Sequence, residues 1–286
     1  MRALRNPGPT PDTTRLGEPA CVGLARRKQR PPDPAWSSAQ VSPARSRTGE
    51  PAERLSPELG GSVSYADAPA PENRAVYTLY YSPGSASMVV HLALLEIGAP
   101  FRLVRLDFER DEQHGAEYLK LNPRGQVPTL VIDGRPYFES GALLMILAER
   151  HPEARLAPPA GSALRPDWYQ WIVFFASALG PVYRQWFYPS DLGSEAHPPA
   201  LREALREKIE GAWSLVDAHL AAGGPYLLGA EFSGVDLLAL MYMRWSRNMP
   251  KPVTEWPALR RYADLMRSRP SWAKLYEVEG LTEWRA

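Results

Sequence analysis

The 286-residue sequence predicts a small α/β domain followed by an all-helical domain, with an extension in front of both. Three observations carry this. Strand and helix patterns alternate as β-α-β-α-β-β-α over residues 76–151, only helical patterns follow residue 165, and the composition breaks near residue 75.

The extension comes first. Twelve of the 30 prolines fall in residues 1–73, among many Arg, Ser and Gly and few aliphatics. No window there has the periodicity to bury a face, so residues 1–75 are expected to be disordered. They are either a dispensable tail or sequence upstream of a true start at Val76. The segment lacks an apolar signal-peptide core. Its basic run at 26–30 lies among acidic residues and prolines and reads as a solvated tail rather than a nucleic-acid patch.

The α/β part follows. Residues 76–81 are a β-rich run ended by the turn signal Ser82-Pro83-Gly84. Residues 86–97 place Val89, Leu92, Ala93 and Leu95 at helical spacing and stop at Gly98. Residues 101–106 alternate as a second strand, so the unit demands a parallel pair and a right-handed crossover. A polar helix is expected near 112–121. Residues 127–131 and 136–138 flank Asp133-Gly134, a two-residue hairpin signal. An apolar helix over 140–151 completes a mixed four-stranded sheet.

Pro, Ala and Gly mark a linker, placed at 154–164 between a first domain over 76–153 and a second over 165–286. Helices are expected at 165–188, 199–222, 234–248, 256–268 and after Pro270. Ser233 and Asp236 have capping-box spacing ahead of an apolar run over 237–243, a structural signature.

Composition narrows the functional classes. With 33 Lys+Arg against 32 Asp+Glu, no net field draws the chain to nucleic acid or anionic lipid. A single cysteine, Cys21, excludes an intrachain disulfide framework, and scattered histidines give no metal-ligand spacing. No apolar stretch reaches the roughly 20 residues of a membrane span. A cytoplasmic protein with no metal is expected.

Three segments then resemble one family. The run from Tyr77 to Met88 (YTLYYSPGSASM), the run from Asn122 to Leu130 (NPRGQVPTL) and the run from Phe138 to Ala142 (FESGA) follow in order at the right intervals. They resemble the bacterial, beta-like glutathione S-transferases over about residues 76–275. The resemblance implies a thioredoxin-like glutathione-binding domain, a glutathione transferase helical domain and a homodimer. It implies a cis peptide at Val127-Pro128, with the Val127 backbone pairing with the cysteinyl backbone of glutathione. Glu139 would accept from the ligand's α-ammonium group, and Ser140, a natural helix cap, would bring free N–H groups to the γ-glutamyl carboxylate. Gln126 and Arg124 would add contacts.

The sulfur end is read differently. A free thiol titrates near pH 8.5, so a transferase has to favour the thiolate. Beta-like members keep a Cys where this chain has Ala86, which excludes a mixed disulfide there. The hydroxyl candidates are Ser87, Ser85 and then Tyr81. Against these stand plain roles for Ser87 as a cap and Tyr81 as core, and His91 reads as a packed or supporting residue. Tyr183, Trp186, Phe187 and Tyr188 cluster where the family holds its hydrophobic electrophile, although core or dimer interface is the plain reading of each.

The expected activity is attack of the glutathione thiolate on a small hydrophobic electrophile, with glutathione as cosubstrate. Two alternatives remain: a glutathione-dependent peroxidase or isomerase on the same fold, or a non-catalytic glutathione-binding module.

Overall fold

A computed structural model describes residues 77–285, so the expected extension and the alternative start lie outside the described residues. Four strands form one sheet: β1 (Tyr77–Tyr81), β2 (Phe101–Arg105), β3 (Thr129–Ile132) and β4 (Arg135–Phe138). Their order is β2-β1-β3-β4, with β1 and β2 parallel, Tyr77 opposite Phe101, and both other pairs antiparallel. The parallel pair follows from the crossover through α1 (Met88–Ile97), which Gly98 closes at φ 70°. The hairpin has positive φ at both Asp133 and Gly134, as a two-residue turn of the right twist requires.

The polar helix is split at Gly115 into a short turn (Glu112–His114) and α2 (Ala116–Leu121). The next, α3 (Ser140–Arg150), packs on α1.

Beyond it come α4 (Arg165–Val173), α5 (Gly180–Phe187), α6 (Pro199–Gly223), α7 (Gly234–Trp245), α8 (Pro257–Arg267) and α9 (Pro270–Glu279). The single helix expected over 165–188 is interrupted by a π-helical segment, Phe174–Leu179. Pro181 removes the N–H that an α-helix would give to the residue 177 carbonyl, and Ser177 turns its hydroxyl onto the Val173 carbonyl at 2.7 Å. Gly180 is required there because a Cβ would sit 2.6 Å from the Tyr242 hydroxyl of α7.

The interior helix α7 is buried on all sides. It starts from the expected capping box, in which the Asp236 carboxylate accepts from the Ser233 N–H at 2.8 Å. The same carboxylate accepts from the Leu227 N–H at 3.0 Å and the Tyr262 hydroxyl at 2.7 Å. Asp236 therefore ties α7 to α8 and to the preceding loop.

The α/β part and the helical part are also joined by charge. Glu96 at the end of α1 takes two hydrogen bonds from Arg269, at 2.8 and 2.7 Å, and one from the Ser271 hydroxyl. Burial alone would raise the Glu96 carboxyl, but the bonds from Arg269 and Ser271 outweigh it and hold the group below the usual carboxylate range. A depressed folded value means this stability is present above the unfolded value near pH 4.3 and is lost as pH falls through the folded one. Glu96→Gln is expected to lower stability at neutral pH and to flatten its acid-side decline below about pH 4. Urea unfolding at a series of pH values reads this directly, and parallel acid limbs in the two proteins would refute it.

Candidate active site

The loop between β1 and α1 is the centre of the site. It turns at Gly84, φ 70°, and runs through Ser85, Ala86 and Ser87 into α1. The helical part fixes Gly84 from two sides: its N–H donates to Glu279 Oε2 at 2.8 Å, and its carbonyl accepts from Trp245 Nε1 at 3.0 Å. The other oxygen of Glu279 meets His91 Nδ1 at 2.9 Å, with both side chains fully buried. His91 is thus a supporting residue that no solvent reaches.

The three hydroxyl candidates fall in different surroundings. Ser87 is fully buried, and its hydroxyl donates to the Ser82 carbonyl at 3.2 Å. Ser85 is half-buried, and its Oγ lies 2.8 Å from that of Ser87. With the Ser87 proton on Ser82, the proton between the two serines belongs to Ser85. Tyr81 is buried against the His91 ring, with ring centres 6.2 Å apart. Burial, then the Glu279 charge, pushes its phenol above the ordinary value.

Across the loop lies the start of α3. Ser140 Oγ donates to the Ala86 carbonyl at 2.9 Å, which leaves the first backbone N–H groups of α3 for an anion. Glu139 precedes it at φ 74°, a strained conformation for a residue with a Cβ. Its half-exposed carboxylate pairs with Arg124 at 2.5 Å.

The peptide Val127-Pro128 is cis. Among the described residues no hydrogen bond engages the Val127 backbone, so a strand-like ligand has an open edge there. The approach to it is braced: the Gln126 carbonyl accepts from the Tyr118 hydroxyl at 2.6 Å and from Asn122 Nδ2 at 2.8 Å. Gly125, φ 60°, packs under His114, where a Cβ would sit 2.5 Å from the imidazole.

The aromatic cluster divides. Tyr183 is a core residue, stacked on Phe187 and Tyr242 at 5.9 Å, with its hydroxyl accepting from Trp213 Nε1 at 2.9 Å. Burial drives its phenol well above the ordinary value. Trp186 is buried beneath the Arg202 guanidinium, 4.2 Å from its ring centre. Phe187 is half-buried, and Tyr188 is exposed with Arg184 stacked 3.8 Å over its ring. So the four do not form one wall: two belong to the core and two reach the surface. Among the described residues there is no cluster of three or more His, Cys, Asp or Glu able to hold a metal, and no helix long and apolar enough to cross a membrane.

Comparison with known proteins agrees with the fold. The glutathione S-transferase N-terminal domain family matches residues 75–149, and the C-terminal domain family matches residues 199–265. A solved ternary complex of BphK, a bacterial glutathione transferase, is 32% identical with a TM-score of 0.64 and is covered over 100% of its length by 71% of this chain. This chain belongs to the glutathione S-transferase superfamily. Glutathione S-transferase GstA of Escherichia coli O157:H7 is 28% identical over 206 residues, 71% of this chain and 98% of that protein. A transferase homologue from Sulfitobacter, solved with bound glutathione, is 26% identical with a TM-score of 0.66 over 73% of this chain and 100% of that one. The disulfide-bond oxidoreductase YfcG of Escherichia coli K12 is 25% identical over 68% of this chain and 91% of that protein.

Sequence reasoning missed Glu279, Arg244 and Trp245, which reach the loop from the far end of the chain. No local motif marks them. The only trace of Arg244 is a charge ending the otherwise apolar run of α7.

Proposed function

We propose that this member of the superfamily is a glutathione S-transferase in activity, joining glutathione to a small hydrophobic electrophile. The observation that carries the reading is the unpaired Val127 backbone, two residues before the β3 position that pairs with Phe138, with the Glu139 carboxylate and the start of α3 next in the chain after Phe138. Glutathione supplies one group for each. Its cysteinyl backbone pairs with Val127, its γ-glutamyl carboxylate sits on the α3 N–H groups, and its ammonium group joins Glu139. Arg124 and Gln126 flank the tripeptide. The thiol then falls at the loop over residues 84–87.

There Ser85 is the half-buried hydroxyl whose proton moves from Ser87 Oγ to the sulfur when glutathione binds, while the Ser87 N–H, 3.3 Å from Ser85 Oγ, holds it in place. The thiolate attacks the electrophilic carbon. With an aryl chloride a C–S bond forms, the C–Cl bond breaks with its electron pair on chloride, and the thiol proton passes to solvent. The protein contributes position and the Ser85 donor. Phe187 and Tyr188 offer the apolar contact for the electrophile.

Ser85→Ala is expected to lower kcat/KM for an activated aryl chloride about 10- to 100-fold with glutathione affinity nearly unchanged, the mark of a donor used on the thiolate. A larger loss in Tyr81→Phe than in Ser85→Ala would move the role to Tyr81. A disulfide substrate assayed alongside tests glutathione-dependent exchange, the second reading, which the likeness to YfcG favours.

Exposed Tyr169 and Val173, one turn apart on α4, support a homodimer through this helix, and sedimentation of the full chain checks it.

A further inference from the structure

Glu279 is a buried carboxylate in an unfavourable place. It is the last residue of α9, at the negative end of that helix's dipole, and its side chain is fully buried. Among the described residues its ion pair is with His91, not with a lysine or arginine. Taking a carboxylate out of water is costly, and a well-packed apolar side chain would serve stability as well or better.

What the carboxylate holds is the site loop. Its Oε2 accepts from the Gly84 N–H at 2.8 Å and its Oε1 from His91 Nδ1 at 2.9 Å, so both oxygens are used and the side chain has one orientation. The other ring nitrogen of His91, Nε2, is buried with no hydrogen-bond partner among the described residues, and the ring packs edge-on against Phe101. The loop needs such a hold. Its own bonds are short-range, from the Ser85 N–H and the Ser87 hydroxyl to the Ser82 carbonyl, both at 3.2 Å. Gly84 sits at φ 70° without a Cβ, so its backbone is the freest of the stretch. Other elements hold the loop backbone, among the described residues, at two places: Glu279 and Trp245 on Gly84, and Ser140 on Ala86. Ser85 lies between them.

We infer that Glu279 is a positioning residue for the Ser85 hydroxyl: through Gly84 it sets where that donor meets the glutathione sulfur, and His91 fixes the carboxylate. The inference rests on the transferase reading above. Glu279 is not among the groups placed on glutathione, so its effect falls on the chemical step and not on affinity. A donor displaced by about 1 Å is enough to cost about 100-fold in rate.

Two variants separate the bond from the charge. Glu279→Gln keeps the reach and an oxygen for the Gly84 N–H but loses the charge, and Glu279→Asp keeps the charge but is one methylene short. Each full-length protein is assayed well below its melting transition with saturating glutathione and an activated aryl chloride, with calorimetry of glutathione binding alongside. Glu279→Asp is expected to lower kcat about 10- to 100-fold with glutathione affinity changed less than about threefold, while Glu279→Gln keeps at least about a third of the wild-type kcat. A merely structural glutamate would lower the melting temperature and leave kcat per folded chain in place, and that result overturns the inference while sparing the transferase reading. Glu279→Gln falling as far as Glu279→Asp would assign the effect to the charge, and a loss of affinity as large as the loss of kcat would assign it to binding; either overturns the inference. If Glu279→Asp does not fold, hydrogen exchange of the Gly84 amide in the free wild-type chain decides: protection of about 100-fold or more supports the hold, and exchange at the open-chain rate overturns it. A wild-type chain that conjugates no aryl chloride overturns both readings.

Discussion

Glu139→Gln is expected to weaken glutathione binding by about 2 kcal/mol, roughly 30-fold, because a charged acceptor for the ligand's ammonium is lost. Trp245 is hydrogen-bonded to the site loop, so quenching of tryptophan emission on titration offers a convenient readout. The partner charge behaves differently. Arg124 and Glu139 are both about half exposed, and such a pair contributes about 0–1 kcal/mol, so an arriving ammonium displaces or joins it at little cost. Arg124→Ala should therefore change affinity far less than Glu139→Gln. The backbone adds an independent handle. Glu139 sits at φ 74°, where glycine is unstrained, so Glu139→Gly should abolish most binding without lowering the melting temperature. Equal affinity in wild type and Glu139→Gln would remove Glu139 from the site.

Asp236→Ala should have the largest effect on stability, a loss of about 4 kcal/mol. The carboxylate is fully buried and accepts from two backbone N–H groups and the Tyr262 hydroxyl. Alanine leaves all three donors buried and unpaired, each costing about 1–3 kcal/mol. At the size of the described part, a melting temperature lower by about 10 °C follows. Urea unfolding should show a lower midpoint at unchanged slope, since the same surface is exposed. A drop under about 1 kcal/mol would mean that α7 takes its position from packing alone. Asp236 touches none of the proposed ligand contacts, so glutathione affinity below the transition should survive the change.

How much of this was legible follows the distance over which each feature is encoded. Two of the three strand pairings came from local signals, a crossover helix that forces a parallel pair and the hairpin signal Asp133-Gly134, while the β1–β3 pairing that sets the order was not marked locally. The Ser233–Asp236 box is likewise local. The π segment was hidden because Phe174–Leu179 is as apolar as a regular buried helix, and only Gly180-Pro181 hinted at the break. Tyr183 could not be told from a cleft residue by spacing. Stacking on Phe187 within the helix and Tyr242 from α7 decides that it is core. The clamp on the loop was the least legible part. Gly84 and Glu279 stand 195 residues apart, His91 and Glu279 188, and Gly84 and Trp245 161. Nothing in a single sequence pairs groups at that range, whereas the open edge at Val127 and the helix start at Ser140 lie within motifs of a few residues.

The central claim is that glutathione lies between the Val127 edge and the start of α3 with its sulfur at the Ser85 loop. Calorimetric titration of glutathione into the full chain and into Ser140→Ala tests it most directly. The expected result is micromolar-to-millimolar binding in the native chain, weakened about tenfold when the Ser140 bond to Ala86 is lost. No binding to the native chain, or the same affinity in both proteins, would contradict the account.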